Sequence, residues 1–261
     1  MKLVTFLLLL GLPAFAQQQA NLTPFQPIKV RTTPWHELPA LLYLPDENVT
    51  GKKYPLIICL HGRSIAGKDL SKIFREGVTK QMHAGKKIDA INKVDGKKYK
   101  FIVLAPLAES WSLGPEHLES VLDDVVKRYP IDRSRVYITG YSAGGWSVGM
   151  AVTHPSLARK IAAAINMSPA TIDEKNLKSF KVAADANVHT WYFGGKEEPV
   201  FLGNSRLYAD STNKYKQGLS KLTVGDHGHC CWSQYFNPAW RENGFSIYEW
   251  LLQYSKPALL K

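Results

Sequence analysis

The chain has 261 residues, 45% hydrophobic and 21% charged, with a formal net charge of +11. This length accommodates one α/β core, and the composition is that of an ordinary globular protein, which excludes repetitive, collagen-like and disordered classes. A basic balance suits acidic substrates or anionic glycans. However, the lysines are scattered in pairs (Lys52-Lys53, Lys86-Lys87, Lys97-Lys98) without interleaved aromatics, so a solvated surface is expected and no nucleic-acid partner.

Residues 1–16 stand apart. Lys2, an apolar run over 3–12 and a small-x-small site ending at Ala16 read as a cleaved secretory signal. The run is shorter than the roughly 20 residues a membrane span needs, and no cysteine stands at the site. The expectation is an exported protein, secreted or periplasmic, with no membrane span once the leader is gone. Residues 17–39 are expected as an N-terminal lead and 40–261 as a single domain.

Within that domain, 41–45 reads as an early strand ending at Pro45. Residues 54–60 form a continuous apolar run of strand length, the pattern of a strand buried on both faces of a parallel sheet. The run meets His61-Gly62-Arg63-Ser64, where glycine lets the chain turn across the sheet's carboxyl edge, the place where open α/β sheets bind ligands. Residues 69–87 are helix-compatible, with Leu70, Ile73, Phe74 and Val78 on one face. A second buried strand is expected over 101–106, then a loop over 110–115. Pro115 can open a helix carrying Leu118, Val121, Leu122, Val125 and Val126 at helical spacing.

The sequence Val136-Tyr137-Ile138-Thr139 then leads into Gly140-Tyr141-Ser142-Ala143-Gly144. This is Gly-x-Ser-x-Gly between a strand and a helix, the context in which a serine hydroxyl stands exposed at a strained turn. Further strands are expected over 161–168, 188–193 and 221–224, and a closing helix over 247–254, with Ser246 and Glu249 spaced as a capping box. Strands alternating with helical patterns predict a mostly parallel central sheet with helices on both faces.

A serine hydroxyl needs a base to take its proton, and the base needs a carboxylate to fix its tautomer. On a sheet of this kind the partners follow in the order Ser, acid, His. Ser142 is the candidate nucleophile. His229, after Gly228, is preferred over His227 as the base. Glu198 is preferred over Glu197 as the acid, with Asp210 and Asp226 as lesser alternatives. The backbone N–H of Ala143, joined by that of Arg63 or Ser64, is the candidate oxyanion hole. Trp111, Trp146 and Trp232 fall near these turns and could stack on a substrate ring; packing around the turn is the alternative for Trp146 and Trp232. Cys59 is expected as a buried thiol, and adjacent Cys230 and Cys231 leave a pairing with Cys59 or a vicinal bridge open. A metal site would need a tighter Cys/His cluster, so neither metal nor cofactor is expected.

The run from Tyr129 to Gly145, with Lys53-Tyr54-Pro55-Leu56, Leu60-His61-Gly62, Ala105-Pro106, Gly228-His229, Trp232 and Glu249-Trp250-Leu251-Leu252, resembles secreted esterases of the prolyl-oligopeptidase-like and polyhydroxybutyrate-depolymerase-like groups of the α/β-hydrolase superfamily. The resemblance implies an α/β-hydrolase fold without a large lid, Ser142 as nucleophile, His229 as base, and oxyanion amides at Ala143 and just after Gly62. It also implies hydrolysis of a small-molecule or polysaccharide ester through an acyl-enzyme, acyl or feruloyl esters included. The group usually carries Asp, in a Gly-x-x-Asp-x-x-Val context, where this chain has Glu198. Two alternatives stand beside it: a serine peptidase of the prolyl-oligopeptidase type, which usually has an extra propeller or lid, and a catalytically inactive hydrolase fold used for binding. Nothing in the sequence sets an oligomeric state.

Overall fold

The computed structural model describes residues 22–45 and 50–257; the leader at 1–16 lies outside the described residues. In chain order the elements are β1 (Gln26–Thr33), β2 (His36–Tyr43), β3 (Tyr54–Leu60), α1 (Gly77–His83), β4 (Ala90–Ile91), β5 (Lys98–Tyr99), β6 (Ile102–Pro106), α2 (Pro115–Arg128) and β7 (Ile131–Tyr141). Then come α3 (Ala143–Val152), α4 (Pro155–Lys160), β8 (Ala163–Met167), α5 (Glu174–Leu177), α6 (Phe180–Asp185), β9 (His189–Gly195), α7 (Pro199–Asn213), β10 (Ser220–Gly225), α8 (Ser233–Phe236) and α9 (Ile247–Leu252). Eight strands form one sheet in the order β1-β2-β6-β3-β7-β8-β9-β10. The hairpin β1–β2 and the pair β2–β6 are antiparallel, and every pair from β6 to β10 is parallel.

The apolar runs explain this arrangement. In β3, Leu56, Ile58 and Leu60 enter one core and Ile57 the other, because successive side chains point to opposite faces. Helices α2, α3, α6 and α7 cover the first face with Leu118, Val148, Phe180 and Tyr208. Helices α1, α8 and α9 cover the second with Val78, Phe236 and Leu251. A strand covered on both sides has no polar face to show, so its sequence reads as unbroken hydrophobicity. Cys59 is a free thiol here, and burial pushes its pKa up to about 12, well above the range of a reactive thiolate.

Three expectations change. The lead drawn over 17–39 is corrected: β1 and half of β2 fall inside it, so the boundary at 40 cuts a strand of the sheet. Only Val30 and Thr32 are fully buried in β1, and Pro27 and Pro39 argue against strands; β1 lies at the edge of the sheet, and Pro39 in β2 precedes the residues paired with β6, Ala40 to Tyr43. The single helix expected over 69–87 is two pieces, a 3-10 turn at Leu70–Arg75 and then α1. Gly77, the residue that opens α1, has φ +83°, a conformation that the interior of one continuous helix cannot hold. Helix α7, with no counterpart among the expected elements, follows the loop after β9 and carries Tyr208 and Ala209 into the core.

The capping box at α9 is present: the Ser246 hydroxyl accepts from Glu249 N–H at 3.2 Å, and Glu249 Oε2 accepts from Ser246 N–H at 2.8 Å. Ser246→Ala is expected to lower stability by about 1 kcal/mol, a fall in Tm of roughly 2–4 °C in a calorimetric scan.

Candidate active site

Ser142 is the single residue between β7 and α3, and its backbone sits at φ 55°, ψ −117°. A non-glycine residue holds such a conformation only when its surroundings over-determine it. Here Ser142 N–H donates to Met167 O at 3.0 Å, while Ser142 O accepts from Trp146 N–H at 3.0 Å and Ala170 N–H at 3.1 Å. The flanking glycines are required by close approach. A Cβ on Gly140 would lie 2.3 Å from the Gly144 carbonyl oxygen, and one on Gly144 would lie 2.0 Å from that of Leu60. The hydroxyl is thereby fixed at the carboxyl end of the sheet.

Three loops from the far side of the sheet meet it. His229, after β10, accepts from the Ser142 hydroxyl through Nε2 at 2.9 Å and donates from Nδ1 to Glu198 Oε2 at 2.6 Å. This tautomer follows because a carboxylate offers only acceptors. Glu198, after β9, is 4% exposed, and its other oxygen, Oε1, accepts from the Ser168 hydroxyl and from Gly195 N–H at 2.7 Å. Ser168, just past β8, in turn accepts from Trp232 Nε1–H at 2.8 Å. The Phe201 ring stacks on the His229 imidazole at 3.7 Å between centroids, and Trp232 meets it edge-on at 4.9 Å. A buried carboxylate with donors on both oxygens is held in one orientation, and the imidazole inherits that orientation.

The structure separates the alternatives. His227 is 7% exposed; its Nδ1–H donates to Gly228 O at 2.7 Å and its Nε2 accepts from the Tyr235 hydroxyl at 2.8 Å, so both ring nitrogens are occupied away from Ser142. Glu197 is exposed. The neighbouring Lys196 pairs with Asp226 at 2.6 Å. Asp210 is exposed on α7. Cys230 and Cys231 are bonded to each other beside His229. Among the described residues, no group of three or more His, Cys, Asp or Glu is placed to hold a metal.

On the near side, His61 braces the loop after β3. Its Nε2 accepts from Ala108 N–H at 2.9 Å and its Nδ1–H donates to Gly62 O at 2.9 Å. Burial lowers its pKa, which keeps the ring neutral and both bonds intact. Gly62 lies against the nucleophile: a Cβ there would stand 3.5 Å from Ser142 Cβ and 2.8 Å from the Tyr141 ring. A 3-10 turn at Arg63–Ile65 follows, its first bond running from Ile65 N–H to Gly62 O, which leaves the N–H groups of Arg63 and Ser64 outside the turn's own ladder. Ala143 N–H opens α3 and likewise has no partner within its helix.

Of the three tryptophans, Trp111 and Trp146 are half-buried and meet edge to face at 6.4 Å. Trp232 is corrected: at 8% exposure, stacked on Tyr141 at 4.8 Å with its N–H spent on Ser168, it is wall and not platform. Reasoning from sequence also passed over Ser168 and Phe201. Position was the available signal. Ser168 directly follows the strand between those of the nucleophile and the acid, and Phe201 lies three residues past Glu198.

Known structures share this architecture. A thermostable esterase superposes with a TM-score of 0.63 at 20% identity, covering 91% of this chain and 64% of that one. The feruloyl esterase module from Clostridium thermocellum gives 0.60 at 14% identity, covering 90% of each chain. Acylaminoacyl peptidase from Pyrococcus horikoshii gives 0.54 at 14%, covering 82% of this chain and 39% of that one. The chain thus spans under two thirds of the esterase and about two fifths of the peptidase. No curated protein sequence matches it, whereas the family described as prolyl oligopeptidase matches residues 116–187. The chain therefore has the α/β-hydrolase fold, and its segment from α2 to the start of β9 carries the sequence signature of the prolyl oligopeptidase family.

Proposed function

We propose that this chain is a serine esterase that cleaves carboxylic esters through an acyl-enzyme intermediate. The observation that carries the reading is the continuous relay from the Ser142 hydroxyl through His229 to the buried Glu198 carboxylate, with spacings of 2.9 and 2.6 Å. In this reading His229 takes the hydroxyl proton as Ser142 Oγ attacks the ester carbonyl, and Glu198 stabilises the imidazolium that forms. The oxyanion is held by Ala143 N–H and by the N–H of Arg63, the residue directly after Gly62, or of Ser64; each such donor supplies about 3–4 kcal/mol. His229 then protonates the departing alcohol and activates the water that releases the acid. We further assign the leader at 1–16 to export, and the substrate to acyl or feruloyl esters, polysaccharide-linked ones included. The half-buried Trp111 and Trp146 beside the turn support a flat substrate ring.

The match to the prolyl oligopeptidase family favours a second reading, a serine peptidase of the same mechanism. Turnover of aryl esters with none of aminoacyl anilides supports the esterase; the reverse supports the peptidase.

A fluorophosphonate should label the protein covalently, and Ser142→Ala should abolish labelling in mass spectrometry; an unlabelled wild type would leave only a binding protein. His229→Ala is expected to lower kcat on an aryl ester by at least about 10⁴-fold, whereas His227→Ala retains most turnover. Glu198→Gln should lower kcat by roughly 10³–10⁴-fold and Glu197→Gln by under about twofold, since an exposed carboxylate contributes little. Ser168→Ala removes one hydrogen bond to a charged oxygen and should lower kcat about tenfold, the equivalent of roughly 1.4 kcal/mol, with KM unchanged.

A further inference from the structure

The strand order divides the rim of the sheet into two flanks around Ser142. The acid and base descend from β9 and β10, on one side of β7, while Arg63 follows β3 and Trp111 follows β6, on the other. The leaving alcohol must lie on the flank of His229, because the same imidazole that accepts the serine proton delivers it to the leaving oxygen. The acyl group stays on Ser142 when the alcohol leaves, so the flank of β3 and β6, which also carries the oxyanion amides, is open to it.

That flank has a defined chemistry. The Ser147 hydroxyl, on α3, donates to the Leu113 carbonyl at 2.7 Å and lies 2.8 Å from the Ser112 hydroxyl, which ties the loop bearing Trp111 to the helix that begins at the nucleophile. Trp111 and Trp146 present an edge-to-face pair, an apolar wall for a ring. The Arg63 guanidinium stands over the Trp111 ring at 5.9 Å. It is exposed, and among the described residues no carboxylate lies within ion-pair distance of it. A guanidinium held over an indole face by cation–π attraction keeps its N–H fork free for an oxyanion. Beside an apolar wall, a carboxylate meeting that fork gains charge-assisted hydrogen bonds that water screens less well than at an open surface.

We propose that Arg63, Trp111 and Trp146 form an acyl subsite selective for an aromatic acyl group that carries a negative charge. The inference rests on the esterase reading and narrows its substrate class. It assigns the Arg63 side chain a role separate from that of its backbone N–H, which any residue at 63 except proline would retain.

The test compares two aryl esters of equal shape, the mono-4-nitrophenyl ester of terephthalic acid and its uncharged 4-carbamoyl counterpart. Wild type should favour the charged ester at least tenfold in kcat/KM. Arg63→Gln should bring that ratio close to one and Arg63→Lys should restore part of it; the ratio cancels any loss the two esters share at the oxyanion. Trp111→Ala should raise KM for both. A wild-type ratio at or below one, or a ratio unchanged in Arg63→Gln, overturns the proposal while leaving the esterase reading intact. Calorimetric titration with terephthalate reads the same recognition without turnover. A Kd raised at least tenfold by Arg63→Gln supports the subsite, and an equal Kd overturns it, even if neither ester is cleaved and the esterase reading fails.

Discussion

A single buried carboxylate organises the rim of this sheet. Glu198 is almost fully removed from water, and an ionised carboxylate in that position is tolerable only when its oxygens are met by donors. The Ser168 hydroxyl, Gly195 N–H and His229 Nδ1–H meet them, and these donors belong to the ends of three successive strands. Satisfying one charge therefore fixes the spacing of β8, β9 and β10 at their carboxyl edge. The imidazole, stacked under Phe201 and edged by Trp232, has little freedom left, and its Nε2 faces the one hydroxyl that the strained turn holds out.

The opposite flank is built by neutral hydrogen bonds and close packing. His61 joins the loops after β3 and β6, and burial, by lowering its pKa, favours the neutral ring that this brace needs. Gly62 can rest on Tyr141 and Ser142 because it lacks a Cβ. The loop after β6 is also tied to the helix that begins at the nucleophile, through Ser147 and the Leu113 carbonyl. The site is thus asymmetric, with a buried carboxylate–imidazole relay on one side and backbone donors, aromatics and the exposed Arg63 guanidinium on the other.

Much of this was legible from the chain because the physics is local. Fully buried strands such as β3 and β6 announce themselves as unbroken apolar runs, and the glycines around Ser142 are demanded by contacts within a short stretch. The order Ser142, Glu198, His229 follows from where strand ends fall. What escaped depends on contacts across the sequence. Strand β1 does alternate, Ile28-Lys29-Val30-Arg31-Thr32, but over a short stretch that follows Pro27, and its place is set by pairing with β2 at the edge of the sheet. The role of Trp232 is set by Ser168, 64 residues away, and no local pattern distinguishes a tryptophan in a wall from one that waits for a substrate. Ser168 itself looks like any polar residue closing a strand until Glu198 arrives beside it.

Glutamate at 198 in place of aspartate has a structural reason in the same loop. Glu198 is the N-cap of α7, and its own N–H bonds back to Gly195 O at 3.2 Å, so its backbone is held close to the end of β9. From there the longer side chain folds back and places Oε1 within 2.7 Å of Gly195 N–H while Oε2 extends to His229. An aspartate with the same backbone would be one methylene short of spanning both, and either the imidazole or the strand-end amide would lose its acceptor. The extra carbon also carries a conformational cost of well under about 2 kcal/mol, smaller than the loss expected for an unpaired buried donor next to a charge. The length of the Glu198 side chain and its anchoring by Gly195 and Ser168 are thus two aspects of one arrangement.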